Sequence, residues 1–547
     1  MASSIAVEFA ILLSVGASYS LSSLVGKRQF SLLDSGRFEN DHDGTSRDEI
    51  MWRLSRIAGL ILFPWLIGAA EPGRVEFSVR DRQTQEIVPC RIHLQDANGK
   101  PVKPAGLTLP FWKDHFACEG TAEIEIPAGE YRYEIDRGPE YATIRKPLTV
   151  AGAAVPRVEE TLTRIADLAR EKWWSGETHI HRPLADVPLL MRAEDLHVGV
   201  VMTWWNDRNP WKDVPLPELP VTVFDGYRMY DALGGEDERG GGALLMSGLK
   251  KPLPIAGSKS ESPPSVKWLL AAKGAGAWVD AEKPFWWDFP VWLSAGRLDS
   301  VGLANNHMNR AGMYAGGEAW GRPRDRDLFP EPLGNGYWTQ AIYYHALNAG
   351  FRLPPSAGSA SGVLPNPVGY NRMYAYVDGE LTWGNWWSAV RAGRVFVTNG
   401  PLLRLTASGQ SPGSVFQSEN PLQVVIDGRL DSRDPIAAIE LVQNGRVERL
   451  SGFPAKVTLR ESGWFLVRVR ADVPQTFRFA STGPWYVEIG GSQPAIERES
   501  CEFFRQWTEE RIDALRQTLT SDEERREVLP AFEAASRFWA ERAAQGR

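Results

Sequence analysis

Cysteine is nearly missing from this chain. Cys90, Cys118 and Cys501 are the three in 547 residues, and no two have C-x-x-C spacing. That excludes a thiolate zinc site and a disulfide-stapled scaffold. Cys90 and Cys118 fall in one stretch of short strands, where they can pair in an oxidising compartment or sit as two small apolar side chains. Long hydrophobic runs are missing too. The stretch IAVEFAILLSVGASYSLSSLVG near the start and the run after Met51 both fall short of the ~20 unbroken apolar residues of a spanning helix. No stable membrane span is expected once any signal is removed. The third absence is positive charge in excess: 61 Lys and Arg face 68 Asp and Glu, for a net charge of −7. Nothing electrostatic calls for nucleic acid or an anionic membrane as partner.

What is present begins at Met51 with MWRLSRIAGLILFPWLIGAAEPG. Two arginines, a short apolar run and a small-residue end have the order of a secretory signal peptide. Residues 51–70 are therefore expected to be an export signal cleaved near Ala70, with a mature start near Glu71 and a periplasmic or extracellular destination. Residues 1–50 would then be an upstream mis-start extension. The competing reading makes the run near Ile5 the export segment, against which stand Glu8 and the lack of a basic leader.

The length predicts three or four domains. Between 71 and 156, RVEFSVRD, CRIHLQD and AEIEIPAGEYRYEID alternate or run β-rich between turn signals such as Asn98-Gly99. This stretch is expected to form a β-sandwich, and IPAGEYRYEI resembles the transthyretin-like and carboxypeptidase-regulatory-like modules. From 170 to 405, short apolar runs such as HVGVVMTWW, GAWVDAEKP and DSVGLANNH alternate with helix-like segments such as SVKWLLAAK and YWTQAIYYHALNAG. Strand–helix alternation of this length predicts an α/β barrel, with chemistry at the C-terminal strand ends. Residues 406–495 return to strands, with Asn444-Gly445 as a hairpin turn. Residues 499–547 are helical by spacing, with Ser521 and Glu524 as a capping box. Tryptophan is abundant: 15 of the 22 lie between Trp173 and Trp387, a density that suits core packing or an aromatic-walled cleft.

The run SGETHIHR places His179 and His181 two residues apart, so a strand would turn both imidazoles to one side. Glu236, Glu282 and His307 also sit at or just past expected strand ends. Imidazoles and carboxylates on one ion, with a position left for water, are what a hydrolytic metal site needs. Each has a blander reading: Glu236 as part of a solvated acidic loop, Glu282 as the salt-bridge partner of Lys283. His345 is expected on a helix face. Asp207 and Asp280 are candidate general bases. Trp204, Trp205, Trp286 and Trp287 are candidate substrate walls. Asn371 and Arg372 either orient a polar substrate or pack.

The stretches SGETHIHR, EDERGGGALL, LDSVGLANNHM, ALNAGFRLPPSAGSASGV and WWSAVRAGRVFVTNGPLL resemble the polymerase-and-histidinol-phosphatase (PHP) superfamily, and within it the CehA/McbA-like, carbaryl-hydrolase-type metallohydrolases. The resemblance implies a distorted (β/α)7 barrel and metal-dependent hydrolysis of esters, carbamates or phosphoesters. It also has departures. The family's Thr-Asp-His is here Thr203-Trp204-Trp205, and its Gly-His is Gly241-Gly242-Ala243. Its His-Pro is Lys283-Pro284, and its late Gly-Ser-Asp-Ser-His is Gly358-Ser359-Ala360-Ser361-Gly362. A cluster of two or three metals is therefore not expected. One ion is, held by His179, His181, His307 and a carboxylate from Glu282 or Glu236. Zinc suits that set, with iron or manganese as alternatives.

Two functions follow. The first is an exported hydrolase with a single metal acting on a small-molecule ester, carbamate or phosphoester. The second is a degenerate barrel that binds a carbohydrate without turning it over.

Overall fold

The structure is a computed structural model describing residues 73–152, 155–314, 316, 321–491 and 496–547. The expected export signal, its cleavage point and the extension before it lie outside these residues.

Strict alternation builds the first layers. Along Gly73–Asp81, Val75, Phe77 and Val79 are buried while Arg74 and Arg80 are exposed, so one face of the strand is apolar. This strand pairs antiparallel with Thr121–Ile126 and parallel with Arg157–Leu162. A second sheet of five strands, centred on Cys90–Asp96, shares its apolar core. Cys90 and Cys118 stand opposite each other in that sheet as free thiols, with Sγ atoms 3.7 Å apart.

The central region corrects the expected architecture. Trp173–Ile180, Val198–Trp205 and Arg228–Asp237 run parallel. The direction then reverses, because Leu244–Ser247 is antiparallel to both Arg228–Asp237 and Trp278–Ala281. Trp278–Ala281, Ser300–Ala304 and Pro355–Ala357 are parallel again. On the far side of Trp173–Ile180, Arg372–Tyr376 and Val395–Thr398 join antiparallel. The sheet then continues into the C-terminal strands as one sixteen-stranded mixed sheet. With 38% strand against 20% helix, the chain is β-rich, and the α/β reading as a distorted (β/α)7 barrel does not hold. The physical reason is that a buried strand reads as a short apolar run whichever way its neighbours point. The connection from Asp237 to Leu244 is a glycine-rich turn, not a crossover helix.

After Pro401, Leu402–Ala407, Leu422–Asp431 and Ala455–Leu459 form a three-stranded sheet over a second core shared with Gly463–Ala471. Asn444 and Gly445 both have positive φ, 48° and 81°, between the paired strands Ile436–Gln443 and Arg446–Leu450. That is the turn which matches the twist of a hairpin. The helices Arg498–Thr518 and Asp522–Gln545 pack on Phe289–Ser294 through Phe504, Trp507 and Trp539. The second begins with the reciprocal Ser521–Glu524 cap. Among the described residues no helix is long and apolar enough to cross a membrane.

A buried ion network joins these parts. Arg91, on the N-terminal sheet, bonds Asp136 at 2.7 Å and also Glu194 of the central region. Asp136 accepts from Arg433 of the C-terminal region at 2.7 Å. Next to it Asp195 accepts from Arg164 at 2.7 Å and Arg228 at 2.8 Å. Burial opposes ionisation of Asp136, but Arg433 and Arg91 outweigh it and hold the carboxyl well below its usual range. Arg91→Met should therefore lower stability by about 3–5 kcal/mol, the cost of stranding a buried charge. Urea denaturation measures it; a loss under ~1 kcal/mol would deny the network this role.

His345 lies on the helix Gly334–Asn348, with Nδ1 2.8 Å from Ser500 Oγ and its ring stacked on Phe503 at 4.3 Å. Burial, reinforced by the Arg322 charge, pushes its pKa down to about 4. The unfolded chain, with an ordinary imidazole near ~6.5, takes up this proton first. Stability should thus fall as pH drops from about 6.5 towards 4. His345→Phe should flatten that slope by the share of one group in denaturation curves across pH.

Candidate metal centre

The strand Trp173–Ile180 turns Ser175, Glu177 and His179 to one side, and His181 follows just past its end. The segment 358–361 is laid against that end by two backbone bonds of 2.8 Å, Ala360 N–H to His179 O and His181 N–H to Ser361 O. Glu177 accepts the Ser359 N–H at 2.9 Å, and burial pushes its carboxyl up to about 7. Gly358 leaves no room for a side chain, since a Cβ there would lie 2.5 Å from His179 Cβ.

His179 Nε2 and His181 Nε2 are 2.9 Å apart. Glu236 Oε2, from the end of Arg228–Asp237, lies 3.4 Å from the first and 3.1 Å from the second. Donors placed 2.0–2.1 Å from an ion at tetrahedral angles stand about 3.3 Å from one another, so these three atoms fit such an ion. Glu282 approaches from the opposite side, with Oε1 2.9 Å from His179 Nδ1. It therefore contacts the back of the imidazole and leaves Nε2 to face Glu236, as a carboxylate behind a ligating histidine does. Burial works against a charge on His179, but Glu236 and Glu282 outweigh it and raise the pKa to about 10. Glu282 is held down to about 2, because Lys283 and His179 overcome its burial.

Glu238 completes a second group, with donor oxygens of Glu236, Glu238 and Glu282 within 4.8 Å of one another. Burial and the Glu236 charge push Glu238 up to about 8. The Lys283 ammonium, 1% exposed, bonds Glu282 and sits 4.9 Å above the Trp286 ring. The simpler reading of Glu282 as a partner of Lys283 is thus realised, and the same carboxylate also lies against His179 Nδ1.

The other expected residues are placed differently. His307 packs among Phe285, Trp286 and Tyr314, with ring centres 5.0–6.4 Å away, and does not join the imidazole pair. Asp280 accepts from the hydroxyls of Ser356 at 2.6 Å, Ser300 at 2.8 Å and Thr178 at 3.3 Å. These bonds make it a brace between neighbouring strands. Asp207 accepts the Gly257 N–H at 2.8 Å in an exposed loop. Asn371 donates to Asn305 O at 3.0 Å and Met308 O at 3.2 Å, and Arg372, fully buried, donates to Glu194 O at 3.0 Å. Both are packing groups, which corrects the substrate-orienting alternative. Trp204 is a core indole bonded to Leu233 O at 2.9 Å, and Trp287 packs against the same core. Trp205 lies beside the imidazole pair, 5.0 Å from His181, and Trp286 lies against His307 and Lys283.

Glu177, Glu238 and Lys283 were not among the expected site residues. Alternation selects the first two, since Glu177 precedes His179 by two residues and Glu238 follows Glu236 by two. Lys283 carried no such signal. A separate group, His93, Asp114 and His115, also has converging donors. There Arg91 donates to His93 Nε2 at 2.9 Å, and Arg310 reaches Asp114 at 3.2 Å; the guanidinium groups already supply the positive charge.

No family model and no curated protein matches this chain. One solved structure it is similar to is the fibronectin(III)-like modules of Clostridium thermocellum CbhA, at 17% identity and a TM-score of 0.12, over 16% of this chain and 96% of that one.

Gly358→Ala should displace His179 and weaken metal retention by roughly 10–100-fold, the range for disturbed ligand support. Competition with a chromophoric chelator measures this, and unchanged retention would separate the 358–361 segment from the centre.

Proposed function

We propose that this chain is a metal-dependent hydrolase, a divergent relative of the CehA/McbA-like enzymes, with one zinc-class ion on His179, His181 and Glu236. The observation that carries the reading is the convergence of two Nε2 atoms and one carboxylate oxygen at 2.9–3.4 Å in a buried setting. Iron or manganese also suits such a donor set. A bound ion of this kind lowers the pKa of its water and polarises a carbonyl or phosphoryl oxygen.

The chain's own groups supply the rest. Glu282 contacts His179 Nδ1 and fixes which nitrogen faces inward. Glu238, raised to about 8, keeps its proton at neutral pH and can deliver it to a leaving oxygen or nitrogen. The Lys283 ammonium holds Glu282 in its ionised form. Trp205, next to His181, offers one aromatic face to an ester, carbamate or phosphoester substrate. Of the four aromatic walls, Trp204 and Trp286 are buried, which narrows the face open to an aryl ester and to a carbohydrate alike.

Purified protein should hold about one zinc, iron or manganese per chain, lost in the His179→Ala/His181→Ala double variant. It should release product from at least one member of a panel of aryl esters, carbamates and phosphodiesters. A metal-free protein whose thermal midpoint ignores chelators would end this reading.

A further inference from the structure

Three carboxylates meet behind the imidazole pair. Glu236, Glu238 and Glu282 bring oxygens within 4.8 Å of one another, and Glu236 and Glu282 are 1% and 3% exposed. Acidic groups this close and this dry favour a compensating cation. The imidazoles answer Glu236, which faces them. Glu282 Oε2 is instead answered by the Lys283 ammonium, and Glu238 also feels that ammonium's charge. Lys283 comes from the residue next to Glu282, so the cation is covalently part of the strand end it neutralises. Its other wall is the Trp286 ring, 4.9 Å from Nζ, whose face favours a cation.

We propose that the Lys283 ammonium is the built-in second cation of this centre, paired with Glu282 and taking the place of a second divalent ion in the group of Glu236, Glu238 and Glu282. Resting on the metal-hydrolase reading above, this explains why three acids and two imidazoles hold a single ion. The ammonium differs from a metal in being attached to the chain, so neither dilution nor a chelator can remove it.

The test is metal stoichiometry on the full chain, by elemental analysis after equilibration with excess zinc or manganese and desalting. Wild type and Lys283→Arg should each hold one ion. Lys283→Met, which removes the charge and keeps the apolar stem, should hold two, and its thermal midpoint should rise with added metal more steeply than that of wild type. Adding Glu238→Gln to Lys283→Met should return the count to one. A Lys283→Met protein that binds no more metal than wild type overturns the proposal, as does one that stays unfolded at every metal concentration. The two readings separate cleanly. Wild type at zero with Lys283→Met at one, dependent on Glu238, would sink the hydrolase reading and keep this one. Wild type and Lys283→Met both at one would do the reverse.

Discussion

Buried carboxylates that must each meet a cation tie this molecule together. Asp136, Glu194 and Asp195 are nearly solvent-free, and each is answered by arginines from a different stretch of chain: Arg91 from the first sandwich, Arg228 from the central sheet, Arg433 from beyond it. Apolar packing alone would let these layers slide, since it has no preferred direction. A guanidinium fork has one, and it sets how the N-terminal sheet meets the central one. Because Glu194 and Asp195 follow directly on the helix Val187–Ala193, the same network fixes the connection leaving the His179 strand.

The candidate centre obeys the same rule on a smaller scale. Glu236, Glu238 and Glu282 are surrounded by two imidazoles and one ammonium, and each side chain comes from the end of a strand in the central sheet. The groups that brace it are hydroxyls. Those of Thr178, Ser300 and Ser356 wrap Asp280, whose carboxyl burial pushes up to about 6.

Features set by neighbours in sequence were legible before any coordinates. Alternation placed His179 and His181 on one side, the Asn444-Gly445 pair gave its hairpin, and Ser521 with Glu524 gave its cap. Features set by neighbours in space were not. Strand direction is invisible in an apolar run, which is why Leu244–Ser247 turned a supposed β/α repeat into an antiparallel step. His307 has a strand-end position like that of the ligands, yet aromatic rings surround it. Asn371 and Arg372 are polar enough for a binding site, and only the closeness of Asn305, Met308 and Glu194 reveals them as internal fasteners. Lys283 showed up only as a missing histidine; its meaning comes from the acids around it.

The C-terminal helices contribute no donor atom to the centre, but they stand behind it. Arg511 binds Asp288 at 3.0 Å and Glu261 at 2.6 Å, and the Trp539 indole donates to Pro290 O at 3.1 Å. Asp288 N–H in turn holds Gly241 O at 2.9 Å, in the turn that follows Glu238. The tail is therefore a keel for the loops carrying Glu238, Glu282 and Lys283. Stiffness at the candidate centre is inherited from residues more than two hundred positions away in sequence. Any lineage that trims or grafts this appendage alters the centre's rigidity without touching a single ligand.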